Sequence, residues 1–278
     1  MSITVTAVTP NIGARITGIT GPELVDPKAA QECQAALDRH GVVVFPRINI
    51  TDADLVAFSR LLGDVVVPKV NDPGEHPEIA TITLDPAKSV LAGYRRGNFL
   101  WHIDGATDEL PQKQTLLTAR EVDPAGGDTE FANTYTAYEA LPDTEKTEIA
   151  DLKVVHSFAA AQRIAYPDAT DKQRAQWDTV PTRVHPLVWT RRNGRKSLLV
   201  GATADTVVGW PENRSRELLD HLLAWSTRPD FTYRHQWTRG DLVMWDNTGM
   251  LHRALPFEPT SIRLMHRTTL AGQELVSA

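Results

Sequence analysis

The sequence predicts a mainly β fold, in which short antiparallel strands form a sandwich or barrel and a few helices pack outside it. Segments with the alternation of a strand recur along the chain of 278 residues, whereas few segments have helical periodicity. Strands and helices also do not alternate in the way that a parallel βαβ sheet requires. Because strand signals run from one end to the other, we expect a single domain over residues 1–278.

The elements follow from local patterns along the chain. Alternation predicts strands over 2–8 and 14–19, and the apolar run 42–46 predicts a short buried strand. Apolar residues at helical spacing predict helices over 28–40 and 51–64. The same signals predict further strands over 78–84, 98–104, 114–122, 128–133, 185–190, 196–201, 231–237, 241–246 and 262–270, and helices over 134–142, 144–152 and 214–226.

Two long segments have little regular pattern. Residues 65–98 mix proline, glycine and charge around one predicted strand, and residues 159–183 are polar and poor in periodicity. A long irregular segment in a compact domain is often a lid or a binding loop. We therefore predict lids in 65–98 and 159–183.

Composition excludes several classes of protein. Lys plus Arg is 29 and Asp plus Glu is 35, which gives a net charge of −6, so bulk charge does not favour nucleic acid. Cys33 is the only cysteine, so no intrachain disulfide can form and a reducing compartment fits. The N-terminus does not read as a signal peptide, and no apolar run is long enough to span a bilayer. These features predict a cytoplasmic globular protein with neither a nucleic acid nor a membrane as partner.

The stretch NFLWHIDG contains two side chains that can bind a metal, His102 and Asp104. In a strand, side chains i and i+2 point to the same face, so these two would present adjacent ligands. The best candidate for a third ligand is His252, just after the predicted strand 241–246. Two histidines and one carboxylate on one face of an ion leave three positions open, as in non-haem Fe(II) oxygenases, although zinc hydrolases use the same ligand types with fewer open positions.

Two arginines follow on the last predicted strand. Arg263, Met265 and Arg267 share one of its faces, and a turn between His252 and Arg263 predicts a hairpin that brings these two side by side. Four extended residues separate the arginines by roughly 13 Å. Buried guanidinium groups need anions to neutralise them. The two arginines therefore indicate that two anionic groups bind here, or that the arginines lie at two ends of one binding site. Exposure of one arginine at a sheet edge is the alternative.

Residues 98–142 resemble the Fe(II)/2-oxoglutarate dioxygenases of the taurine dioxygenase / 2,4-dichlorophenoxyacetate dioxygenase (TauD/TfdA) family. The motifs that carry the resemblance are H-x-D at 102–104, GGDT at 126–129, W-D-N-x-x-x-x-H at 245–252 and the spaced arginines. Their combination is highly specific. The likeness continues in order through 185–210 and 231–270, and it covers nearly the whole chain.

The resemblance implies a double-stranded β-helix (jelly-roll) core that uses Fe(II), O2 and 2-oxoglutarate. Carried over residue by residue, it implies that His102, Asp104 and His252 bind the iron. It also implies that Thr129 and Arg263 hold the distal carboxylate of 2-oxoglutarate. The products of such a reaction are succinate, CO2 and a hydroxylated substrate.

For the substrate, the resemblance implies roles for Arg267, at a position that often contacts an anionic group, and for Asn98, at a position near the substrate. A small aryloxyalkanoate, sulfonate or sulfate ester would fit such a site. Asp104 is intact, which argues against a halogenase, where a small residue leaves room for halide. The family also implies a homo-oligomer, either a dimer or a tetramer.

Three alternatives remain open from the sequence. A hydroxylase or desaturase in natural-product biosynthesis would use the same residues by the same mechanism. A non-oxidative metallohydrolase would share the three metal ligands but would need neither Arg263 nor a 2-oxo acid. In a metal-free jelly-roll binding module, the three ligands would be a coincidence.

Overall fold

The structure is a computed structural model. It describes residues 3–68, 70, 74–123, 125–258 and 260–277, except for the side chain of Tyr94. Most of its secondary-structure elements are strands. The strands are β1 (Thr4–Ala7), β2 (Ala14–Thr17), β3 (Val42–Phe45), β4 (Ala80–Ile82), β5 (Gln114–Glu121), β6 (Thr129–Asn133), β7 (Lys153–His156), β8 (Arg183–Pro186), β9 (Val188–Thr190), β10 (Lys196–Leu198), β11 (Ala204–Val207), β12 (Thr232–His235), β13 (Leu242–Asp246), β14 (Met250–Ala254) and β15 (Leu264–Leu270).

Helices flank these strands. The α-helices are α1 (Pro27–His40), α2 (Asp52–Leu62), α3 (Thr134–Glu139), α4 (Asp143–Ile149), α5 (Phe158–Ala165), α6 (Asp171–Trp177) and α7 (Glu212–Ser226), and short 3-10 helices occupy Pro22–Val25, Ala92–Phe99 and Pro229–Phe231. Within the described residues, no helix is both long and apolar enough to cross a membrane.

The strands form a large sheet and three smaller ones among the described residues. The large sheet has the order β1-β2-β3-β13-β5-β15-β4, and the smaller sheets are β12-β6-β14, β11-β7-β8 and β10-β9. Neighbouring strands are antiparallel except for β2 and β3. The predicted class, mainly β with flanking helices, is therefore confirmed, while the division into one domain over 1–278 stays a prediction.

The large sheet is buried on both faces at β13, and the sequence of this strand shows how. Leu242 and Met244 lie in a core shared with α1 and α2. The alternate residues Val243 and Trp245 lie in a second core, between this sheet and the sheet β12-β6-β14. Because successive side chains of a strand point to opposite faces, every second residue of this strand faces the space between the two sheets.

The same alternation orients the last strand, β15. Met265 is buried in the core between the sheets, so Arg267, two residues later, points into the same space. His266 points the other way, where its Nδ1 lies 2.8 Å from the Asp52 carboxylate at the start of α2. The predicted separation of these side chains onto two faces is confirmed.

Two predicted segments are wrong. The strand predicted over 98–104 is the end of the 3-10 helix Ala92–Phe99 followed by a single β-bridge residue and a turn. The irregular segment predicted over 159–183 contains the helices α5 and α6. Ser157 caps α5 by accepting a hydrogen bond from the Ala160 N–H, and Thr170 forms a capping box with Gln173 at α6. Local caps thus stabilise two helices that are too short to show a strong period.

The prediction also missed β14, and the predicted hairpin between His252 and Arg263 is wrong. His252 lies on β14 in the three-stranded sheet, whereas the chain after Arg263 forms β15 in the large sheet. Adjacent polar residues in the sequence MLHRA hide the alternation of β14, because His252 faces inward and Arg253 faces outward to Glu130.

Helix α1 allows a test of local stability. Asp26 is its N-cap, and the Asp26 carboxylate accepts hydrogen bonds from the N–H groups of Lys28 and Ala29, each at 3.0 Å. We expect Asp26→Ala to lower the free energy of unfolding by about 1 kcal/mol, measured by urea denaturation. Asp38→Ala, near the other end of the same helix, is the control and should change it by less. Equal losses would contradict the capping role.

Candidate metal centre and its two cavities

A single antiparallel bridge joins His102 to His252. The His102 N–H donates to the His252 carbonyl at 3.1 Å, and the His252 N–H donates to the His102 carbonyl at 2.9 Å. The two imidazole rings lie 4.1 Å apart between their centroids. Main-chain hydrogen bonds, which do not depend on the side chains, therefore bring these distant histidines together.

Asp104 completes a cluster of three possible metal ligands. Its Oδ1 lies 3.8 Å from His102 Nε2, and its Oδ2 lies 3.6 Å from His252 Nε2. One ligand atom from each residue lies within 4.8 Å of the others. The predicted convergence is confirmed, but its cause differs from the strand alternation that predicted it. Asp104 begins a turn, and the left-handed Gly105 (φ +76) follows it.

The protonation of the three side chains suits a divalent metal ion. His102 Nδ1 lies 2.8 Å from the Leu100 carbonyl; a carbonyl only accepts, so Nδ1 carries the proton and Nε2 keeps its lone pair. Burial lowers the pKa of His252 to about 3, with a further effect from His102, which keeps this ring neutral. Burial opposes ionisation of Asp104, but the Arg267 guanidinium and then the two histidines outweigh it and lower the pKa of this carboxyl.

A cavity between the two sheets, which we call the inner cavity, is lined by His102 and His252 of this cluster and contains about 550 Å³ of empty space, part of it open to solvent. Arg263 and Thr129 line it. Arg263 is only 3% exposed, and its Nε donates to the Gly127 carbonyl at 3.0 Å. Burial lowers the pKa of Arg263 to about 10, so it stays charged at neutral pH. No described carboxylate forms an ion pair with this guanidinium, and a buried charge of this kind suits an anionic ligand.

A second, outer cavity is lined by His102 and Asp104 and contains about 1410 Å³ of empty space, part of it open to solvent. Its walls include Phe158 and Gln162 of α5 and Trp177 of α6, and of these Gln162 and Trp177 belong to the predicted lid 159–183. Arg267 and Asn98 line both cavities. Arg267 Nη1 lies 3.6 Å from Asp104 Oδ1, so this guanidinium stands at the border between the cavities, beside the metal ligands.

Comparison with known proteins identifies the family. The family model described as taurine catabolism dioxygenase TauD, TfdA family matches residues 4–269. The chain belongs to the TauD/TfdA family. The resemblance inferred from the sequence motifs is confirmed.

Relatives in the TauD/TfdA family cover nearly all of the chain. It is 33% identical to the alpha-ketoglutarate-dependent 2,4-dichlorophenoxyacetate dioxygenase of Cupriavidus pinatubonensis, over 99% of this chain and 100% of that protein. It is 30% identical to an alkylsulfatase of Acinetobacter baylyi, over 98% of this chain and 86% of that protein. The crystal structure of AAD-2 in complex with Mn(II) and N-oxalylglycine matches with a TM-score of 0.85 and 31% identity over 100% of both chains.

A chain of hydrogen bonds lies behind the candidate ligand Asp104, and the sequence patterns did not indicate it. Thr115 Oγ1, on β5, donates to Asp104 Oδ2 at 2.9 Å. Asn247 Nδ2 in turn donates to Thr115 Oγ1 at 2.8 Å. Asn247 belongs to the W-D-N motif, which could have indicated it, whereas nothing in the sequence marks Thr115. The chain orients the carboxylate from behind.

Arg95 lies closer to the site than its sequence context indicated, whereas Trp245 is already expected from the sequence to be near enough to His252 to line the site. Arg95 reads as part of a solvated turn, yet it lines both cavities, and its Nη2 donates to the Thr81 carbonyl at 2.9 Å. Trp245 has the pattern of a core residue; it is buried, and its ring also lies 4.7 Å from that of His252. The core thus extends up to the metal ligands.

Tyr166 connects the two predicted lids, 65–98 and 159–183. Its hydroxyl donates to the Gly93 carbonyl at 2.6 Å and accepts from the Arg96 N–H at 3.2 Å. The end of α5 is thereby attached to the 3-10 helix Ala92–Phe99, which carries Arg95 and Asn98. Residue 69 and residues 71–73 of the first lid lie outside the described part of the chain, and the lid function of both segments stays a prediction.

Gly127 allows a test of the position of Arg263. Gly127 has a φ of +82, and a Cβ built there would lie 2.6 Å from Arg263 Cδ. Gly194 has the same φ of +82 with open space around it. We expect Gly194→Ala to lower the free energy of unfolding by about 1–2 kcal/mol, the cost of a left-handed residue. Gly127→Ala should lower it by a further ~1–3 kcal/mol, because Arg263 must move.

The measurement is urea denaturation of both variants beside the parent protein. Equal losses in the two variants would show that Arg263 moves away without cost, and would contradict its fixed position.

Proposed function

We propose that this chain is an Fe(II)- and 2-oxoglutarate-dependent oxygenase that hydroxylates a C–H bond of a small anionic organic substrate, with succinate and CO2 as co-products. The observation that carries the proposal is the position of the buried Arg263 guanidinium, which has no ion-paired carboxylate among the described residues. It lies in a cavity that is also lined by His102 and His252 of the candidate metal cluster. A metallohydrolase would need the cluster but not this arginine.

In this proposal His102 and His252 bind Fe(II) through Nε2, and Asp104 binds it through its carboxylate. Three protein ligands on an ion that prefers six leave three positions for small molecules. When bound, the iron supplies the activation of O2 that couples decarboxylation of 2-oxoglutarate to oxidation of the substrate. The protein holds the ligands in place through the His102–His252 bridge and the hydrogen bond from Thr115 to Asp104.

The inner cavity would hold 2-oxoglutarate, with Arg263 and Thr129 at its distal carboxylate. A guanidinium and a hydroxyl together can donate charge-assisted hydrogen bonds to one carboxylate. The match to a structure with Mn(II) and N-oxalylglycine supports this assignment, because N-oxalylglycine has the skeleton of 2-oxoglutarate with one methylene replaced by NH. Phe257, whose ring lies 4.9 Å from the Arg263 guanidinium, would help to exclude water.

The outer cavity would hold the prime substrate. Arg267 and Asn98 provide polar groups beside the metal ligands, while Phe158 and Trp177 provide apolar surface further out. This arrangement suits a molecule with an anionic group at one end and an apolar body. The names of the relatives, a 2,4-dichlorophenoxyacetate dioxygenase and an alkylsulfatase, support an aryloxyalkanoate or a sulfate ester.

We also propose that the large sheet and the sheet β12-β6-β14 form a double-stranded β-helix (jelly-roll) core. The core between these sheets, which contains Phe131 and Trp245, supports this description. The homo-oligomeric state stays a prediction.

Removal of one ligand tests the metal site. We expect His102→Ala or Asp104→Ala to abolish stoichiometric Fe(II) binding and succinate formation while circular dichroism stays unchanged. The fold should persist because the bridge between residues 102 and 252 uses main-chain groups. His221→Ala is the control, since this side chain is 53% exposed and pairs with Glu145. A folded His102→Ala protein that still releases succinate would refute the assignment.

Substitution of Arg263 and substitution of Arg267 should weaken the binding of different molecules. We expect Arg263→Ala to raise the half-saturation concentration of 2-oxoglutarate by ~100-fold or more, because a buried carboxylate loses its charged partner. Arg267→Ala should mainly raise that of the prime substrate. The measurement is succinate formation stimulated by a panel of carboxylates, sulfonates and sulfate esters. Equal effects of both variants on 2-oxoglutarate would contradict this division.

A further inference from the structure

The hydroxyl of Thr129 has a partner that the proposed function does not use. Trp237 Nε1 donates a hydrogen bond to Thr129 Oγ1 at 2.9 Å. Thr129 is 4% exposed and lines the inner cavity. The sequence around Trp237 is typical of a core residue, but the Trp237 indole nitrogen reaches Thr129 in the wall of the inner cavity.

This hydrogen bond fixes the direction of the Thr129 hydroxyl proton. An indole N–H can only donate, so Thr129 Oγ1 is the acceptor and its own proton must point elsewhere. Among the described residues, no acceptor lies within hydrogen-bond distance of this hydroxyl. The proton is therefore left for a ligand in the inner cavity, where Arg263 supplies the positive charge.

The strand register holds Trp237 in place. His235 on β12 pairs with Thr129 on β6 in an antiparallel register, so Trp237, two residues after His235, lies diagonally across from Thr129, within reach of a long side chain. The indole ring meets the His235 ring edge-on, with 4.6 Å between centroids. His235 Nε2 lies 3.1 Å from Asp241 Oδ2, and its Nδ1 lies 3.0 Å from the Tyr233 hydroxyl. The His235 ring, held by these two hydrogen bonds, thus packs against the Trp237 indole and limits its movement.

We propose that Trp237 is a positioning residue for the co-substrate, which turns the Thr129 hydroxyl proton toward the distal carboxylate of 2-oxoglutarate. This inference rests on the proposed function. Without the indole N–H, the hydroxyl could rotate, and part of its population would no longer donate to the carboxylate. The effect requires a carboxylate at that end of the ligand.

The test compares two tryptophan substitutions of the same kind. Trp237→Phe removes the hydrogen bond to Thr129, and Trp225→Phe removes an indole hydrogen bond of the same length, 2.9 Å, to the Ala137 carbonyl on α3. Calorimetry on the Zn(II)-loaded protein measures the affinity for 2-oxoglutarate without turnover. We expect a loss of ~3- to 10-fold for Trp237→Phe and no change for Trp225→Phe.

Two further measurements separate positioning from general packing. The affinity for 2-oxopentanoate, which lacks the distal carboxylate, should be the same in Trp237→Phe and the parent protein. In a double-mutant cycle with Thr129→Val, Trp237→Phe should cause no additional loss. Losses that add, or an equal loss for 2-oxopentanoate, would overturn the inference.

A measurement on the intact indole covers the case in which Trp237→Phe does not fold. In a ¹⁵N spectrum of the seven tryptophans, Thr129→Val should move the Trp237 indole proton upfield and leave the Trp225 signal in place. An unchanged Trp237 signal would overturn the inference. If the parent protein itself does not bind 2-oxoglutarate, the proposed function fails, whereas binding by the parent with no loss in Trp237→Phe defeats only the role of Trp237.

Discussion

The main-chain bridge between His102 and His252 is the interaction on which the rest of the site depends. It attaches the segment after the 3-10 helix Ala92–Phe99 to β14, the edge strand of the sheet β12-β6-β14. His102 thereby lines both cavities, while His252 lines the inner cavity and Asp104 lines the outer one. The bridge consists of two peptide hydrogen bonds, so the ligand geometry is built into the fold before any metal binds.

Charge is the second organising feature. Among the described residues, the guanidinium groups of Arg263 and Arg267 carry positive charge into the two cavities, and Asp104, which lines the outer cavity, is the only carboxylate among the lining side chains. A bound divalent cation would increase the positive excess. Such an interior is costly unless anions enter it, and a dicarboxylate in one cavity with an anionic substrate in the other would supply them. The electrostatics of the protein therefore favour the ligands that the proposed reaction needs.

Sequence patterns predicted the parts that depend on alternation or on specific motifs. The inward direction of Arg267, opposite to His266, follows from strand periodicity, and the three candidate metal ligands follow from H-x-D and the distant histidine. The patterns could not predict contacts that depend on strand register. Thr115 meets Asp104, and Trp237 meets Thr129, only because particular strands pair at particular residues. Short capped helices such as α5 also have too few residues to show a clear helical period of apolar side chains.

The hydroxyl of Tyr166, at the end of α5, is hydrogen-bonded to main-chain groups of Gly93 and Arg96. Separation of α5 from the 3-10 helix Ala92–Phe99 would break both hydrogen bonds, since a single oxygen makes them. The position of α5 and the position of the segment that carries Arg95 and Asn98 are therefore coupled through one side chain.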